Sequence, residues 1–393
     1  MLMDDATEID PRMRDAAVLV VDDNRVNRHL LTALLERAGI GRIEHAADGR
    51  EALEKLESFA ADLILLDLMM PTMDGFEMCR LLRGDSRWAN VPVLVQSSLN
   101  RAEDRSRAFA VGATDYVSKP LNAAELIARA RIHIENRALL RELHDYHRRT
   151  EAELALAWRM QERLLPSDAR LRGLRDETGL RIASRFAPSS ELGGDIWDVF
   201  DAEPRDPLLF IADFSGHGVG AALNTFRLHT LTRQMDFRGQ RPGDFLSQIN
   251  SRLTGLLPLG QFATMLAGKF DFDGEAFRYA SAGATKPMIL PPGGGAPLLG
   301  DSAGLPLGLT PAALYEERSL PFAPGARLLL YSDAAIEIPT GDDVLDDAGL
   351  TQIVADRVAE GLDGDALLDG VIADLRAVGE IDDDLTLVLI GRD

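Results

Sequence analysis

Four aspartates in the C-terminal half of the chain lie at the ends of apolar, strand-like runs. They are Asp195, Asp213, Asp333 and Asp383. Carboxylates that converge from strand ends beside glycine turns can bind hard divalent cations through oxygen. Two such cations close together are a recurrent means of hydrolysing phosphate esters. Strands also often end in Asp because Asp favours turns, so these four residues alone leave a metal site and ordinary turns as open alternatives.

A second acidic group belongs to the N-terminal part of the chain. Asp22 and Asp23 follow an apolar run, Asp67 ends a second run, and Lys119 follows the last one. If these side chains converge, their negative charges repel one another unless Lys119 and a cation balance them. Mg²⁺ is suited to one or two carboxylates and a phosphate. Asp67 could then accept a phosphoryl group as a nucleophile, with Lys119 and the Ser97 hydroxyl binding phosphate oxygens.

The elements that would position this group alternate apolar runs with helical periodicity. A helix is predicted over residues 25–38, and it ends at Gly39. The predicted buried strands are Ala17–Val21, Asp62–Asp67, Val91–Gln96 and Asp115–Val117. Val- and Leu-rich runs between helices indicate an α/β doubly wound parallel sheet, in which the carboxyl ends of the strands carry the functional crevice.

A long helix is predicted over residues 121–165, which contain no Gly or Pro and are followed by Pro166. Its apolar positions are Leu126, Ala130, Ile134, Leu140, Leu143, Leu154, Trp158 and Leu165. Such a patchy seam is compatible with a parallel coiled-coil homodimer and equally with a monomeric connecting helix.

The chain becomes strand-rich after about Leu180, with helical stretches inserted between the strands. The predicted strands are Arg181–Phe186, Ile196–Phe200, Leu208–Asp213, Phe262–Phe270, Phe277–Ser281 and Arg327–Tyr331. The predicted helices are Val219–Met235, Arg241–Leu257 and Gly364–Val378. This pattern indicates an α+β sandwich. The glycine turn after Asp213 places its carboxylate and the Phe214 backbone carbonyl where they could chelate a metal.

The bulk properties of the 393 residues limit the partners. A formal net charge of −21 argues against nucleic acid, because the phosphate backbone would be repelled. No apolar run is long enough for a membrane span, and the first residues lack the features of a secretory signal. A single cysteine, Cys79, fits a reducing cytosol. We therefore expect a cytoplasmic protein without nucleic-acid or membrane partners, and a flexible tail over residues 1–15.

Residues 17–135 resemble the receiver domains of response regulators. The similarity rests on Val-Val-Asp-Asp (20–23), Asp-Leu-Met-Met-Pro-Thr-Met-Asp-Gly (67–75) and Gly-Ala-Thr-Asp-Tyr-Val-Ser-Lys-Pro (112–120). The resemblance implies a flavodoxin-like fold, phosphorylation of Asp67 by a sensor histidine kinase, and bound Mg²⁺. The implied Mg²⁺ ligands are Asp22, Asp23, Asp67 and the backbone carbonyl of Met69. It also implies that Ser97 is the switch hydroxyl and Tyr116 the aromatic switch residue.

The C-terminal region, residues 155–393, resembles metal-dependent protein phosphatases of the 2C type, and within them the bacterial sporulation and stress-sigma regulators. Its motifs are Met-Gln-Glu-Arg-Leu-Leu-Pro (160–166), Glu-Leu-Gly-Gly-Asp-Ile-Trp-Asp (191–198), Asp-Phe-Ser-Gly-His-Gly (213–218), Gly-Leu-Pro-Leu-Gly (304–308), Leu-Tyr-Ser-Asp (330–333) and Asp-Asp-Leu-Thr (383–386). The resemblance implies two Mn²⁺ or Mg²⁺ ions bound by Asp195, Asp213, Asp333 and Asp383. Asp198 and Asp384 would orient these ligands.

Two positions depart from the phosphatase pattern. Ala334 follows Asp333 where the family commonly has Gly, and Ala284 replaces a frequent His or Asn. Neither change removes a metal ligand. The predicted protein is a multidomain response regulator: a tail (1–15), a receiver (16–135), a helical linker (136–166) and a phosphatase domain (167–393).

Its predicted substrate is a phosphorylated protein of the anti-anti-sigma type. The alternatives are a catalytically inactive adaptor that binds a sigma factor or its antagonist, and a nucleotide cyclase suggested by Gly-Gly-Asp-Ile-Trp (193–197). The cyclase is disfavoured because Ile196 replaces the acidic residue that such a turn requires.

Overall fold

The computed structural model describes residues 10–97, 102–189, 192–201, 206–341 and 343–392. The chain divides into two compact units, Met1–Thr150 and Glu151–Asp393. Within the described residues, no helix combines the length and apolar character needed to cross a membrane.

The first unit contains one parallel sheet of five strands in the order β2-β1-β3-β4-β5. The strands are β1 (Ala17–Val21), β2 (Arg42–Ala46), β3 (Leu63–Asp67), β4 (Val93–Ser97) and β5 (Asp115–Ser118). Its first five helices are α1 (Pro11–Asp15), α2 (Arg25–Arg37), α3 (Gly49–Leu56), α4 (Gly75–Gly84) and α5 (Ala102–Ala110). Separate apolar clusters cover the two faces of the sheet, which explains the fully buried runs of β1, β3 and β4. The doubly wound, flavodoxin-like prediction is confirmed.

The predicted flexible tail is wrong for residues 11–15. Asp10 caps α1 by accepting a hydrogen bond from the Arg12 backbone N–H at 2.9 Å. Met13 is only 1% exposed and belongs to the same apolar cluster as Val18. The burial of this one side chain fixes the short helix onto the sheet. Residues 1–9 lie outside the described residues.

The predicted long helix is α6 (Ala123–Glu162), a single element of 40 residues. Its beginning is capped by Asn122, whose side chain accepts the Ala124 N–H at 3.0 Å. The predicted dimer seam is wrong at its start, because Leu126, Ala130 and Ile134 are buried in the core of the first unit. The first unit also extends beyond residue 135, the predicted end of the receiver.

The second unit contains two antiparallel sheets of five strands, with the orders β13-β10-β9-β8-β7 and β12-β11-β14-β17-β6. The strands of the first sheet are β7 (Asp195–Asp201), β8 (Pro207–Phe214), β9 (Ala263–Asp271), β10 (Ala276–Ala282) and β13 (Arg318–Pro321). Those of the second are β6 (Leu180–Ala187), β11 (Met288–Leu290), β12 (Leu298–Leu299), β14 (Arg327–Tyr331) and β17 (Leu385–Arg392). A short hairpin is formed by β15 (Pro339–Thr340) and β16 (Asp343–Val344).

Side chains from both sheets form one central apolar cluster, so the sheets pack face to face. The outer face of each sheet is covered by a helical layer. The helices of these layers are α8 (Val219–Arg233), α9 (Pro242–Leu253), α10 (Asp347–Ala359) and α11 (Gly364–Val378), whereas α7 (Asp168–Thr178) packs against the central cluster through Leu174. This arrangement confirms the predicted α+β sandwich.

One end of the sandwich collects the acidic residues. Asp195 and Asp213 are register partners on β7 and β8. Asp333 begins a 3₁₀ turn shortly after β14, and Asp383 and Asp384 directly precede β17. Because β14 and β17 are antiparallel neighbours, the end of one strand lies beside the start of the other.

Two candidate acidic sites

The receiver acids meet at the carboxyl edge of the parallel sheet. Asp22 follows β1, and Asp67 is the last residue of β3, the neighbouring strand. Ligand atoms of Asp22, Asp23 and Asp67 all lie within 4.8 Å of one another. Asp22 and Asp67 are buried, whereas Asp23 is exposed. Three oxygen ligands at this spacing, open on one side, fit a hydrated Mg²⁺ ion.

Lys119 balances part of this negative charge. Its Nζ lies 2.5 Å from Asp67 Oδ2 and 3.2 Å from Asp22 Oδ2. Burial acts to lower the pKa of Lys119, but the hydrogen bond and charge of Asp67, together with Asp22, raise it above its usual value. The ammonium group therefore remains charged at neutral pH and holds Asp67 at the edge of the sheet.

The backbone around Asp67 leaves little free space. The Met69 backbone N–H donates to Asp67 Oδ1 at 3.2 Å. A Cβ atom at Gly75 would lie only 2.5 Å from the Asp67 carbonyl oxygen, so this position requires glycine. The predicted role of the Met69 carbonyl as a Mg²⁺ ligand stays a prediction.

The two predicted switch residues are in contact. The Tyr116 hydroxyl donates to the Ser97 backbone carbonyl at 3.2 Å, and both residues are buried. The guanidinium carbon of Arg105 lies 5.1 Å from the centroid of the Tyr116 ring. The hydrogen bond from Tyr116 therefore links β5 to the end of β4, at the edge of the sheet that carries Asp67. The switch roles themselves stay predictions.

In the second unit, the Asp195 carboxyl group is buried at the acidic end of the sandwich. It is 2% exposed, and neither carboxylate oxygen has a hydrogen-bond partner among the described residues. Burial raises the pKa of Asp195 well above its usual value, and the charge of Asp213 raises it further. A buried carboxylate without a partner is costly, and a bound cation would supply that partner.

The same excess of negative charge acts on Asp213 and Asp333. Burial, followed by the charges of Asp333 and Asp383, raises the pKa of Asp213 to about 8. Burial raises the pKa of Asp333 to about 6, with Glu337 and Asp383 adding to the shift. Within the described part of the chain, these aspartates form no ion pair with a basic side chain. The donor set thus fits hard divalent cations.

The spacing of these acids differs from that in the receiver. Where the chain is described, only the receiver acids form a group of three or more ligands within 4.8 Å of one another. The acids of the second unit, Asp195, Asp213 and Asp333, lie close enough to affect one another's pKa values. Among the described residues, however, they do not form a group of three with ligand atoms within 4.8 Å of one another.

The predicted backbone ligand, the Phe214 carbonyl, lies beside the Asp213 carboxylate. A Cβ at Gly194 would be 2.8 Å from the Phe214 carbonyl oxygen and 3.2 Å from Asp213 Oδ1. The absence of a side chain at Gly194 therefore lets both oxygens approach the turn that begins β7. Metal binding by Phe214 stays a prediction.

Asp384 connects the two sheets at this end. Its carboxylate accepts the Gly194 N–H at 2.5 Å. It also accepts the Ser189 backbone N–H at 2.8 Å and the Ser189 hydroxyl at 3.1 Å. These contacts hold the backbone next to Asp195. They are compatible with the predicted orienting role, which stays a prediction.

The structure does not bring Asp198 together with the other acids, and its orienting role stays a prediction without a contact to support it. Side chains alternate between the two faces of a strand, and Asp198 lies three positions after Asp195 on β7. The two side chains therefore point to opposite faces of the sheet. Asp198 instead binds Arg170 of α7 at 2.8 Å and Arg233 of α8 at 3.1 Å. It ties the neighbouring helices to the sheet.

Sequence reasoning missed two residues that act on the site. Gln161 is buried, and its amide donates to the Gly193 carbonyl at 2.5 Å and accepts the Gly193 N–H at 3.2 Å. Gln161 lies in the motif of residues 160–166, and this motif was the sequence signal that could have identified it. Glu337 follows Asp333 by four residues and raises its pKa.

The two departing alanines lie near the acids. Ala284 lines a narrow cleft together with Asp213 and Asp333, and Ala334 is buried within the 3₁₀ turn. Glu191, the first residue of the motif 191–198, lies outside the described residues.

Comparison with known proteins finds a separate match for each part of the chain. Residues 18–131 match the family model of the response regulator receiver domain, and residues 204–393 match that of Stage II sporulation protein E (SpoIIE). The chain is 37% identical over 123 residues to the transcriptional regulatory protein YvrH of Bacillus subtilis, a match that covers 31% of the chain and 51% of YvrH. The response regulator PleD of Caulobacter vibrioides is 40% identical over 116 residues, or 30% of the chain and 25% of PleD. The chain therefore spans about half or less of the length of these two relatives.

Among solved structures, the SiaA-PP2C domain of Pseudomonas aeruginosa is similar in fold. The match has a TM-score of 0.53 and 19% sequence identity, and it covers 64% of the chain and 100% of that domain. At this identity the likeness concerns the fold alone.

Proposed function

The chain joins a response regulator receiver domain to a SpoIIE-type PP2C phosphatase domain, and from this we propose that it is a protein serine/threonine phosphatase under receiver control. The observation that carries the proposal is the end of the sandwich, where Asp195, Asp213, Asp333 and Asp383 approach one another without a basic partner among the described residues. Buried acids that raise one another's pKa values are typical of functional sites.

The proposed reaction is the hydrolysis of phosphoserine or phosphothreonine. Two Mn²⁺ or Mg²⁺ ions, when bound, would lower the pKa of a water molecule and orient it for in-line attack. Asp195 and Asp213 would hold these ions from one sheet, and Asp333 and Asp383 from the other. Asp384 would keep the Gly194 backbone in place beside them. Water is the nucleophile, so no phosphoenzyme forms at this site.

The proposed control begins at Asp67. A sensor histidine kinase would supply the phosphoryl group, and Asp67 would accept it beside Mg²⁺ held with Asp22 and Asp23. Asp67 binds Lys119 at 2.5 Å in the unmodified chain, so a new phosphoryl group would compete for the same ammonium. Ser97 and Tyr116 would respond to that rearrangement at the same edge of the sheet.

The proposed substrate is a phosphorylated protein of the anti-anti-sigma type. Support comes from the SpoIIE family match and from the resemblance of the motifs to those of sporulation and stress-sigma regulators.

A homodimer through α6 is part of the proposal, but with a different seam from the one predicted by the sequence pattern. Ile132, Leu139, Tyr146 and Met160 recur at multiples of seven residues, and Leu143 lies on the same stripe; all are about half exposed or more. A stripe at this spacing favours a coiled coil. Leu139→Glu combined with Leu143→Glu should then convert a dimer into a monomer in analytical ultracentrifugation, whereas a wild-type monomer would contradict this part.

The activity can be tested with the purified chain, Mn²⁺ and a phosphoserine protein or peptide. We expect metal-dependent phosphate release whose rate changes when Asp67 is phosphorylated by a small acyl phosphate. Asp213→Asn, a variant of nearly unchanged size, should show no release. Absence of release from the wild-type chain in both receiver states would refute the phosphatase proposal.

The adaptor remains a second candidate, because the phosphatase-domain acids are more widely spaced than the receiver acids. An adaptor that binds a sigma factor or its antagonist needs no metal at this end. Metal content separates the two functions: the phosphatase should bind two divalent ions at this site in addition to the receiver Mg²⁺, and the adaptor none. The number of divalent ions bound per chain, measured for Asp67→Ala and for Asp213→Asn, would assign each ion to its site.

A further inference from the structure

A cleft of about 320 Å³ opens directly beside Asp383, and one basic residue, Arg376, lines it. Ser189 and Glu380 line the same cleft. Asp383 and Ser189 place this cleft at the acidic end of the sandwich, since Ser189 also binds Asp384.

The packing of α11 on β6 explains why Arg376 reaches this place. Arg185 of β6 pairs with Asp369 of α11 at 2.7 Å and with Asp365 at 2.5 Å. Arg376 follows Asp369 by seven residues, which is about two helical turns, and it lies on the same face of α11. Ser189 lies four residues beyond Arg185, toward the acidic end.

Arg376 differs from the other arginines on this side of the unit. Arg185 and Arg357 are bound to carboxylates of α11. Arg376 is exposed and makes no hydrogen bond or ion pair with any residue in the described parts of the chain. An unpaired guanidinium beside a group of carboxylates is available for a ligand rather than being used in the fold.

We propose that Arg376 binds the phosphoryl group of the substrate. This inference rests on the proposed phosphatase function and adds the residue that recognises the anion. Among the described residues that line this cleft, Asp383 and Glu380 are acidic, and Arg376 alone could attract a negatively charged substrate. A planar guanidinium can donate two parallel hydrogen bonds to phosphoryl oxygens, which the carboxylates cannot do. Arg376 would add hydrogen bonds to a phosphoryl group whose charge the metal ions held by the aspartates would also stabilise.

The test compares Arg376→Ala and Arg376→Lys with the wild-type chain in Mn²⁺. Arg252→Ala is a matched control, because Arg252 is an exposed arginine without a partner among the described residues and lies on α9, which covers the other sheet. Two substrates show whether Arg376 binds the phosphoryl group or a neighbouring acidic residue. p-Nitrophenyl phosphate offers only a phosphoryl group, whereas a phosphoserine peptide also offers flanking acidic residues.

For Arg376→Ala we expect KM to rise about 10-fold to 100-fold for both substrates, as for loss of charge-assisted hydrogen bonds. The inhibition constant of inorganic phosphate should rise similarly, with Arg376→Lys intermediate and Arg252→Ala unchanged. An effect on the peptide alone would assign Arg376 to a flanking acidic residue and overturn the proposal, as would unchanged constants for both substrates.

A second measurement does not depend on turnover. Inorganic phosphate should raise the melting temperature of the Mn²⁺-loaded wild-type chain and have a much smaller effect on Arg376→Ala. This outcome would support the phosphoryl site even if the chain failed to hydrolyse substrates, in which case only the phosphatase proposal fails. Equal shifts in the two proteins would overturn the role of Arg376.

Discussion

The receiver and the phosphatase domain each gather aspartates at one end of a sheet, but they differ in how the charge is balanced. In the receiver, Lys119 binds both Asp67 and Asp22. In the phosphatase domain, none of the described basic residues pairs with Asp195, Asp213, Asp333 or Asp383, and burial raises the pKa of Asp195 and Asp213. The receiver can therefore hold its acids in place without metal, whereas the phosphatase site depends on cations or protons.

This difference suits the two proposed tasks. A receiver is a switch, and Lys119 holds its phosphoacceptor in place in the resting state. A hydrolytic site must instead bind two cations strongly, and repulsion among its acids is relieved only when they arrive. The following changes test this comparison.

The largest effect is expected from Asp213→Asn in the phosphatase domain. Removal of one carboxylate from a two-metal site should lower metal-dependent turnover by about 10³-fold or more, since bound metal supplies several kcal/mol of transition-state stabilisation. Asp236→Asn is the control, because Asp236 is exposed and pairs only locally with Arg238. Phosphate release measured at saturating Mn²⁺ checks this, and a loss below tenfold would mean that Asp213 is not a ligand.

The second effect concerns Lys119→Met. Without the ammonium, Asp22 and Asp67 remain buried and uncompensated, so we expect the receiver to lose about 2–3 kcal/mol in the absence of Mg²⁺. Hydrogen exchange of β1 and β3 should accelerate, while that of β7 and β8 stays the same.

Adding Asp67→Asn to Lys119→Met should restore part of this protection, because the double variant removes one of the repelling charges. No recovery in the double variant would contradict charge balance as the cause.

The third effect is a loss of stability with rising pH, which only the phosphatase domain should show. The pKa of Asp213 is raised to about 8 and that of Asp333 to about 6. The folded metal-free domain thus binds more protons than the unfolded chain between pH 6 and 8, and its stability must fall as pH rises through this window. We expect a loss of roughly 1–2 kcal/mol, seen as a melting temperature lower by a few degrees.

Saturating Mn²⁺ should weaken this dependence, since the cation replaces the protons. The receiver should not lose stability over the same window, because the pKa of Lys119 is raised from an already high value. Burial also lowers the pKa of His45, so the unfolded receiver binds more protons there and the folded receiver gains stability as pH rises. A metal-free phosphatase domain that is equally stable at pH 6 and pH 8 would argue against uncompensated acids.

The smallest effect is expected from Gln161→Ala. Gln161 makes two hydrogen bonds to the Gly193 backbone, two residues before Asp195. Their loss should cost about 1–2 kcal/mol locally and raise the Mn²⁺ concentration for half-maximal activity severalfold. Gln352→Ala, on the exposed face of α10, is the control. An unchanged Mn²⁺ requirement would limit Gln161 to a packing role.

Much of the architecture could be predicted because burial leaves a clear pattern. The continuous apolar runs of β1 and β3 read as strands covered on both faces, and α6 was recognisable from 40 residues without Gly or Pro. By contrast, β2 escaped prediction because Arg42–Ala46 has a mostly exposed edge pattern. The helix around Met13 was missed because five residues are too few for a periodic signal.

The candidate sites were predicted unevenly for a physical reason. Residues that end a strand, such as Asp67 and Asp213, have a position fixed by the strand itself. Asp198 lies within a strand, and assignment by motif overlooked that its side chain must point away from Asp195. Gln161 and Arg376 act from helices that approach the site only after the chain has folded, and no local pattern identifies such a contact.

The cross-strand pair of Asp195 and Asp213 belongs to one sheet, and Asp333 and Asp383 flank strands of the other. Ions bound among these four residues would link the two sheets at this end of the sandwich. The metal concentration in the cell would then affect the lifetime of the protein. Without bound ions, this end of the domain would unfold locally more often, and proteases would cleave the chain more readily. Limited proteolysis with and without Mn²⁺ would reveal this difference as a change in the lifetime of the intact chain.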